Sequence, residues 1–62
     1  MRKGPSSHSV RAVEDRQRLI YICEMSLELA QMADLSGAPS VGADLRDVAE
    51  TVMVEVYRRS SG

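Results

Sequence analysis

The chain has 62 residues, which is room for one small domain but not for a nucleotide-binding α/β unit or an enclosed active-site cavity. Hydrophobic residues make up 44%, but phenylalanine and tryptophan are absent, so aliphatic side chains and four methionines must fill the core. The formal net charge is −1, and the single cysteine excludes an internal disulfide and a zinc site built on a cysteine pair. No apolar stretch approaches the roughly 18 residues of a membrane-spanning helix, and no apolar signal segment follows the basic start, so we expect a cytoplasmic protein without membrane contact.

Residues 1–12 are predicted to form a disordered basic arm, because glycine, proline and three serines lie among the first nine residues. Residues 1–18 carry a formal charge of +3, and residues 19–62 carry −4. A basic arm is typical of a solubilising tail, and it can also contact an acidic partner or nucleic acid. No aromatic residue is interleaved to stack on bases, so nucleic acid is not the partner that we expect. The candidate residues for such a contact are Arg2, Lys3, Arg11, Arg16 and Arg18.

Residues 13–35 are predicted to form the first helix, because good helix formers run through them without glycine or proline. The apolar side chains of this helix fall on two adjoining sectors and leave only a narrow polar strip. A single neighbouring helix cannot cover so wide an apolar circumference. One sector is therefore predicted to contact a second copy or another protein, and it contains Ile22, Met25, Leu29 and Met32. The other sector is predicted to face the second helix, and it contains Leu19, Cys23, Leu27 and Ala30.

Residues 36–40 are predicted to form a turn, in which Gly37 can end the first helix, Pro39 can open the next and Ser40 is a candidate N-cap. Because Gly42 weakens the first turn, the second helix can start anywhere from Ala38 to Gly42. Residues 41–59 are predicted to form the second helix and residues 60–62 a frayed end. The core face of the second helix repeats with a helical period, and it contains Leu45, Val48, Val52 and Val56. The sequence thus predicts an all-α fold, an antiparallel two-helix hairpin that dimerises into a four-helix bundle.

The sequence carries no pattern that is typical of catalysis or of a bound metal or cofactor. His8 lies alone in the N-terminal arm, and Cys23 lies on an apolar helix face, where a thiol behaves as a small hydrophobic group. Glu24 and Glu28 lie four residues apart on the polar strip of the first helix, where we expect both carboxylates to be solvated. The four glycines are too scattered for a phosphate-binding loop. We therefore predict a protein that is not an enzyme and has no catalytic, cofactor-binding or metal-binding residues.

The run from Arg18 to Ala33 resembles a group of short uncharacterised alphaproteobacterial α-hairpin proteins, which are built around the pattern YI-x-x-M-x-x-E-L-x-x-M-A. The second helix departs from the group, and its Leu45–Val48 segment has no counterpart there. The resemblance implies an α-hairpin in a bacterial cytoplasm and implies no activity. The residues that match the pattern are Tyr21, Ile22, Met25, Glu28, Leu29, Met32 and Ala33.

The function that these patterns favour is a non-catalytic protein–protein interaction module, a self-associating helical adaptor or regulator that forms a homodimer. One alternative is a ribbon-helix-helix-like DNA-binding dimer, with Ser9–Val13 as its short strand. Against this alternative, the first predicted helix is too long, and the body of the chain is acidic. A second alternative is an inhibitor or antitoxin-type protein whose N-terminal arm folds on a partner.

Overall fold

The computed structural model describes residues 4–61, with side chains described for residues 10–60, and these residues form two helices joined by a short turn. Helix α1 spans Gly4–Leu35, and helix α2 spans Pro39–Ser61. The two helices run antiparallel and pack against each other along α2. The predicted all-α hairpin is confirmed, and residues 4–61 contain no strand.

Helix α1 begins much earlier than the predicted boundary at residue 13. The sequence predicts disorder for residues 1–12, whereas the helix begins at Gly4. The physical reason is that Pro5 is compatible with a first helical turn, where its missing N–H would have no partner, and no later glycine or proline interrupts the helix before the turn. Residues 1–3 lie outside the described residues. Helix α2 also exceeds its predicted range of 41–59 at both ends.

Helix α1 ends in a Schellman motif. Gly37 adopts a left-handed conformation with a φ of 79°. The N–H of Ala38 donates to the carbonyl of Ala33 at 2.9 Å, and the N–H of Gly37 donates to the carbonyl of Asp34 at 3.2 Å. These are the two hydrogen bonds that define the motif, and they satisfy carbonyls that the end of the helix would otherwise leave without partners.

Helix α2 begins directly after this turn. The N–H of Gly42 donates to the carbonyl of Ala38 at 3.1 Å, so Ala38 is the N-cap and Pro39 occupies the first helical position. The prediction that Ser40 is the N-cap is wrong, because Ser40 already lies within the first turn of α2. The connection therefore holds the two helices close together with only three residues between them.

The two helices meet along a seam in which contacting residues recur in alternating steps of three and four, as in a coiled coil. On α1 the seam consists of Leu19, Cys23, Ser26, Ala30 and Ala33, and on α2 of Gly42, Leu45, Ala49, Val52 and Val56, all buried or half-buried. Small residues dominate it: among residues 10–60, no buried residue is larger than valine. Because helix separation depends on the side chains at the contact, a seam of this kind allows close approach.

Two residues of the predicted hairpin core lie outside the seam. Leu27 is 48% exposed and Val48 is 45% exposed. Each is the immediate neighbour of a smaller seam residue, because the heptad spacing selects Ser26 and Ala49 for the contact instead. The other predicted core residues lie in the seam, and they are Leu19, Cys23, Ala30, Leu45, Val52 and Val56.

The hairpin is a single layer of helices. Its principal extents are 56 × 19 × 9 Å, and its radius of gyration is 15.5 Å. A compact chain of this length has a radius of gyration of about 11 Å. Domains ordinarily consist of at least two packed layers around one core. Both broad faces of this hairpin are therefore open.

Candidate interaction surface

An ion pair marks one edge of the seam. Asp34 directly follows the seam residue Ala33, Arg46 directly follows Leu45, and the Arg46 guanidinium donates a hydrogen bond to the Asp34 carboxylate. This hydrogen bond, together with the charge of Asp34, raises the pKa of Arg46 above its ordinary value. On both helices, the residues that come directly after a seam residue in the sequence therefore lie on this edge. The residues that come directly before a seam residue lie on the opposite edge.

Toward the turn the opposite edge is apolar on both helices, whereas Glu55, which directly precedes Val56, lies on it near the open end. Ile22 and Leu29 directly precede seam residues of α1, and Val41 and Val48 directly precede seam residues of α2. Met25 and Met32 each lie three residues beyond Ile22 and Leu29, one turn along the same side of α1. These side chains form one surface, which we call the methionine face: Ile22, Met25, Leu29, Met32, Val41 and Val48.

Most of the methionine face is open to solvent. Ile22 is 45% exposed, Leu29 44% and Met32 60%, whereas Met25 is half-buried. Contiguous exposed surface of this kind is uncommon on a soluble monomer and ordinarily marks an interface. The structure thus brings the four predicted interface residues of α1 to one side of the helix.

Sequence reasoning missed the contribution of α2 to this surface. The sequence predicts Val48 in the hairpin core and predicts no role for Val41 at the interface. The signal was present in the spacing, because both valines directly precede small residues, Gly42 and Ala49, which continue the heptad steps of the seam. Reading those small residues as the contact would have placed the two valines on the methionine face.

The other edge of the seam is less apolar. It carries the Asp34–Arg46 ion pair together with Leu27, which is exposed, and Ile20 and Met53, which are half-buried. The two broad sides of the hairpin therefore differ. Among residues 10–60, no ion pair joins the two helices across the methionine face.

The three predicted basic contact residues that the structure describes have different surroundings. Arg16 donates to Ser60 Oγ at 3.4 Å, where the C-terminal end of α2 lies against α1. Arg18 forms ion pairs with Asp15 at 3.0 Å and with Glu14 at 3.9 Å. The side chain of Arg11 is exposed, and Arg2 and Lys3 lie outside the described residues.

A second ionic cluster lies near the C-terminal end of α2. Glu55 accepts hydrogen bonds from Arg59 at 2.8 Å and from Arg58 at 2.9 Å. These bonds lower the pKa of Glu55, and the bond from Arg59 has the largest effect. The bond to Glu55 also raises the pKa of Arg58. Both arginines also lie in the last turn of α2, where the helix dipole favours positive charge.

Other features leave the methionine face as the best candidate site. Cys23 is a free, buried thiol in the seam, and no group of metal-ligating side chains occurs among the described residues. A groove of about 570 Å³ is lined by residues of α1 alone, so it is an open channel on the outside of one helix; the residues are Glu14, Gln17, Arg18, Tyr21 and Ile22. Within residues 4–61, neither helix has a long enough apolar stretch to cross a membrane.

Comparison with known proteins identifies no relative of this chain. The chain matches no protein-family model, and neither a curated protein nor a solved structure gives a match.

Proposed function

We propose that the protein is a non-catalytic interaction module, a helical adaptor or regulator that self-associates through the methionine face into a four-helix bundle. The observation that carries this proposal is the distribution of side-chain sizes. The buried residues of the seam are alanine, serine, cysteine, glycine and one valine, while Ile22, Leu29 and Met32 remain exposed. A second hairpin on the methionine face would supply the missing second layer.

The surface area of the chain supports a partner of this size. Its solvent-accessible surface is 4835 Å². A folded monomer of 6.8 kDa is expected to expose about 4,000 Å². The excess of roughly 900 Å² is comparable with the ~800 Å² that each partner buries in a standard protein–protein interface. Dimerisation would thus bring the exposed surface per chain back to the range of a compact protein.

The geometry favours this proposal over the two alternatives. A ribbon-helix-helix dimer needs a strand at Ser9–Val13, and that segment lies within α1. An inhibitor whose N-terminal arm folds on its partner needs an arm without structure of its own, whereas α1 is already helical from Gly4. With one unpaired cysteine, the module suits a reducing compartment, and we place it in a bacterial cytoplasm, as the resemblance to the alphaproteobacterial hairpins implies.

Two leucines on the same helix provide a matched test. Leu29 lies on the methionine face with 44% exposure, and Leu27 lies on the opposite edge with 48% exposure. We expect Leu29→Lys to place a charge inside the dimer interface and to weaken self-association at least tenfold, because an unpaired charge is costly to bury. Leu27→Lys should leave self-association unchanged within about threefold, since rim or surface charges have small effects.

Sedimentation equilibrium gives the readout, with the wild type expected at twice the 6.8 kDa mass of the chain. Circular dichroism checks that both variants stay helical. A wild type that sediments as a helical monomer at high micromolar concentration would contradict the proposal. Equal weakening by the two substitutions would place the interface somewhere other than the methionine face.

A further inference from the structure

We propose that the two hairpins associate head to tail, so that the turn of each copy lies beside the helix ends of the other. This inference rests on the proposed self-association and adds the orientation of the second copy. It follows from how charge is distributed along the hairpin.

The hairpin is electrically polar along its long axis. The half that contains the turn carries six carboxylates against the single cation Arg46, and they are Glu24, Glu28, Asp34, Asp44, Asp47 and Glu50. The half that contains the helix ends has, among residues 10–23 and 51–60, five arginines against three carboxylates; the arginines are Arg11, Arg16, Arg18, Arg58 and Arg59. The turn end is therefore acidic and the open end is basic.

The two possible orientations differ sharply in these charges. With the hairpins side by side in the same direction, the two acidic halves lie together and the two basic halves lie together. With a head-to-tail arrangement, the acidic half of each copy lies beside the basic half of the other. Like charges across an interface disfavour a pairing, and opposite charges select for it.

Distances between attached spin labels distinguish the orientations. Cysteines are introduced at two exposed positions, Gln17→Cys near the open end and Ser36→Cys at the turn, in a Cys23→Ala background. The α1 part of the methionine face is centred near residue 27, and a helix rises about 1.5 Å per residue. The two labelled positions therefore lie at nearly equal distances on either side of that centre.

For the head-to-tail dimer, we expect each variant alone to give a label separation of roughly 30 Å, and a mixture of the two variants to add a short distance of less than about 20 Å. For the side-by-side dimer the pattern is reversed, with short distances in each variant alone and about 30 Å for the mixed pair. The second pattern would overturn the inference and leave the proposed self-association standing. Absence of any dipolar coupling, with a monomeric mass, would overturn both.

Salt concentration gives an independent measurement. In the head-to-tail dimer the acidic half of each copy lies beside the basic half of the other, so self-association should weaken as the NaCl concentration rises and this attraction is screened. In the side-by-side dimer the salt would screen a repulsion, and self-association should strengthen. Tighter self-association of the wild type at high salt would therefore contradict the head-to-tail arrangement.

Discussion

Ala30 is fully buried between the helices, and Ala49 is buried in the α2 part of the seam. The helices approach closely at Gly42, where a Cβ atom would contact the Asp34 carboxylate and would lie 3.1 Å from the carbonyl oxygen of Ala30. In the seam, the small volume of the side chains determines which residues lie between the helices, and hydrophobicity is secondary. For that reason the sequence did not identify the whole seam: Leu27 is more hydrophobic than Ser26, yet Ser26 is the buried residue.

The close approach at Gly42 can be tested with Gly42→Ala. In an ordinary helix interior this substitution stabilises by about 1 kcal/mol, because alanine is the better helix former. Here we expect it to lower the free energy of unfolding instead, since the added methyl group displaces the Asp34 carboxylate and crowds a backbone carbonyl. Urea denaturation measures the change, and Ala43→Gly, at the exposed neighbouring position, reports the local effect of helix propensity alone.

The same substitution in an Asp34→Ala background separates the two contacts of Gly42. Removing the carboxylate should make Gly42→Ala less unfavourable, so the two substitutions should be coupled in a double-mutant cycle. If Gly42→Ala stabilised the wild type by the full helix-propensity gain, the helices would not approach as closely as described.

At the scale of the elements, the sequence predicts some helix boundaries better than others. The turn could be predicted well, because Gly37 and Pro39 each have one conformational role that suits a helix end and a helix start. The start of α1 could not, because Gly4, Pro5 and several serines are equally typical of a disordered tail. Whether such a segment is helical depends on its continuity with the helix that follows, and residue composition does not report that.

The end of α2 depends on ionic contacts that respond to pH. Because hydrogen bonds from Arg59 and Arg58 lower the pKa of Glu55 in the folded chain, Glu55 contributes stability above its unfolded-state pKa near 4.5, and this contribution is lost as pH falls through the lower folded-state value. We expect Glu55→Gln to destabilise the protein at pH 7 and to have a smaller effect at pH 3. Thermal unfolding of both proteins at the two pH values checks this, and a difference that does not shrink in acid would contradict it.

At the scale of the whole molecule, the hairpin is long, thin and one layer deep. The sequence predicted the hairpin and the apolar width of α1, because helical periodicity reports which residues share a face. It could not predict which apolar sector the second helix would cover, since that choice depends on the volumes of the facing side chains. The sequence therefore predicts a partner-facing sector on α1 alone, although α2 contributes Val41 and Val48 to the exposed face.

A bundle made from two chains should unfold at a temperature that depends on protein concentration, because dissociation and unfolding are coupled by mass action. We expect the Tm of the wild type to rise measurably over a hundredfold increase in concentration. The Tm of Leu29→Lys should be lower and nearly independent of concentration, whereas Leu27→Lys should retain the wild-type dependence. A wild-type Tm that stays constant over this range would indicate that the hairpin is stable without a second copy.

The position of Cys23 gives the molecule a built-in chemical reporter. Its side chain is 7% exposed and lies between the helices, so an alkylating reagent can reach the sulfur only when the two helices separate. The rate at which an unmodified sample consumes such a reagent therefore measures how often the hairpin opens. No dye, isotope or engineered label is needed for that measurement.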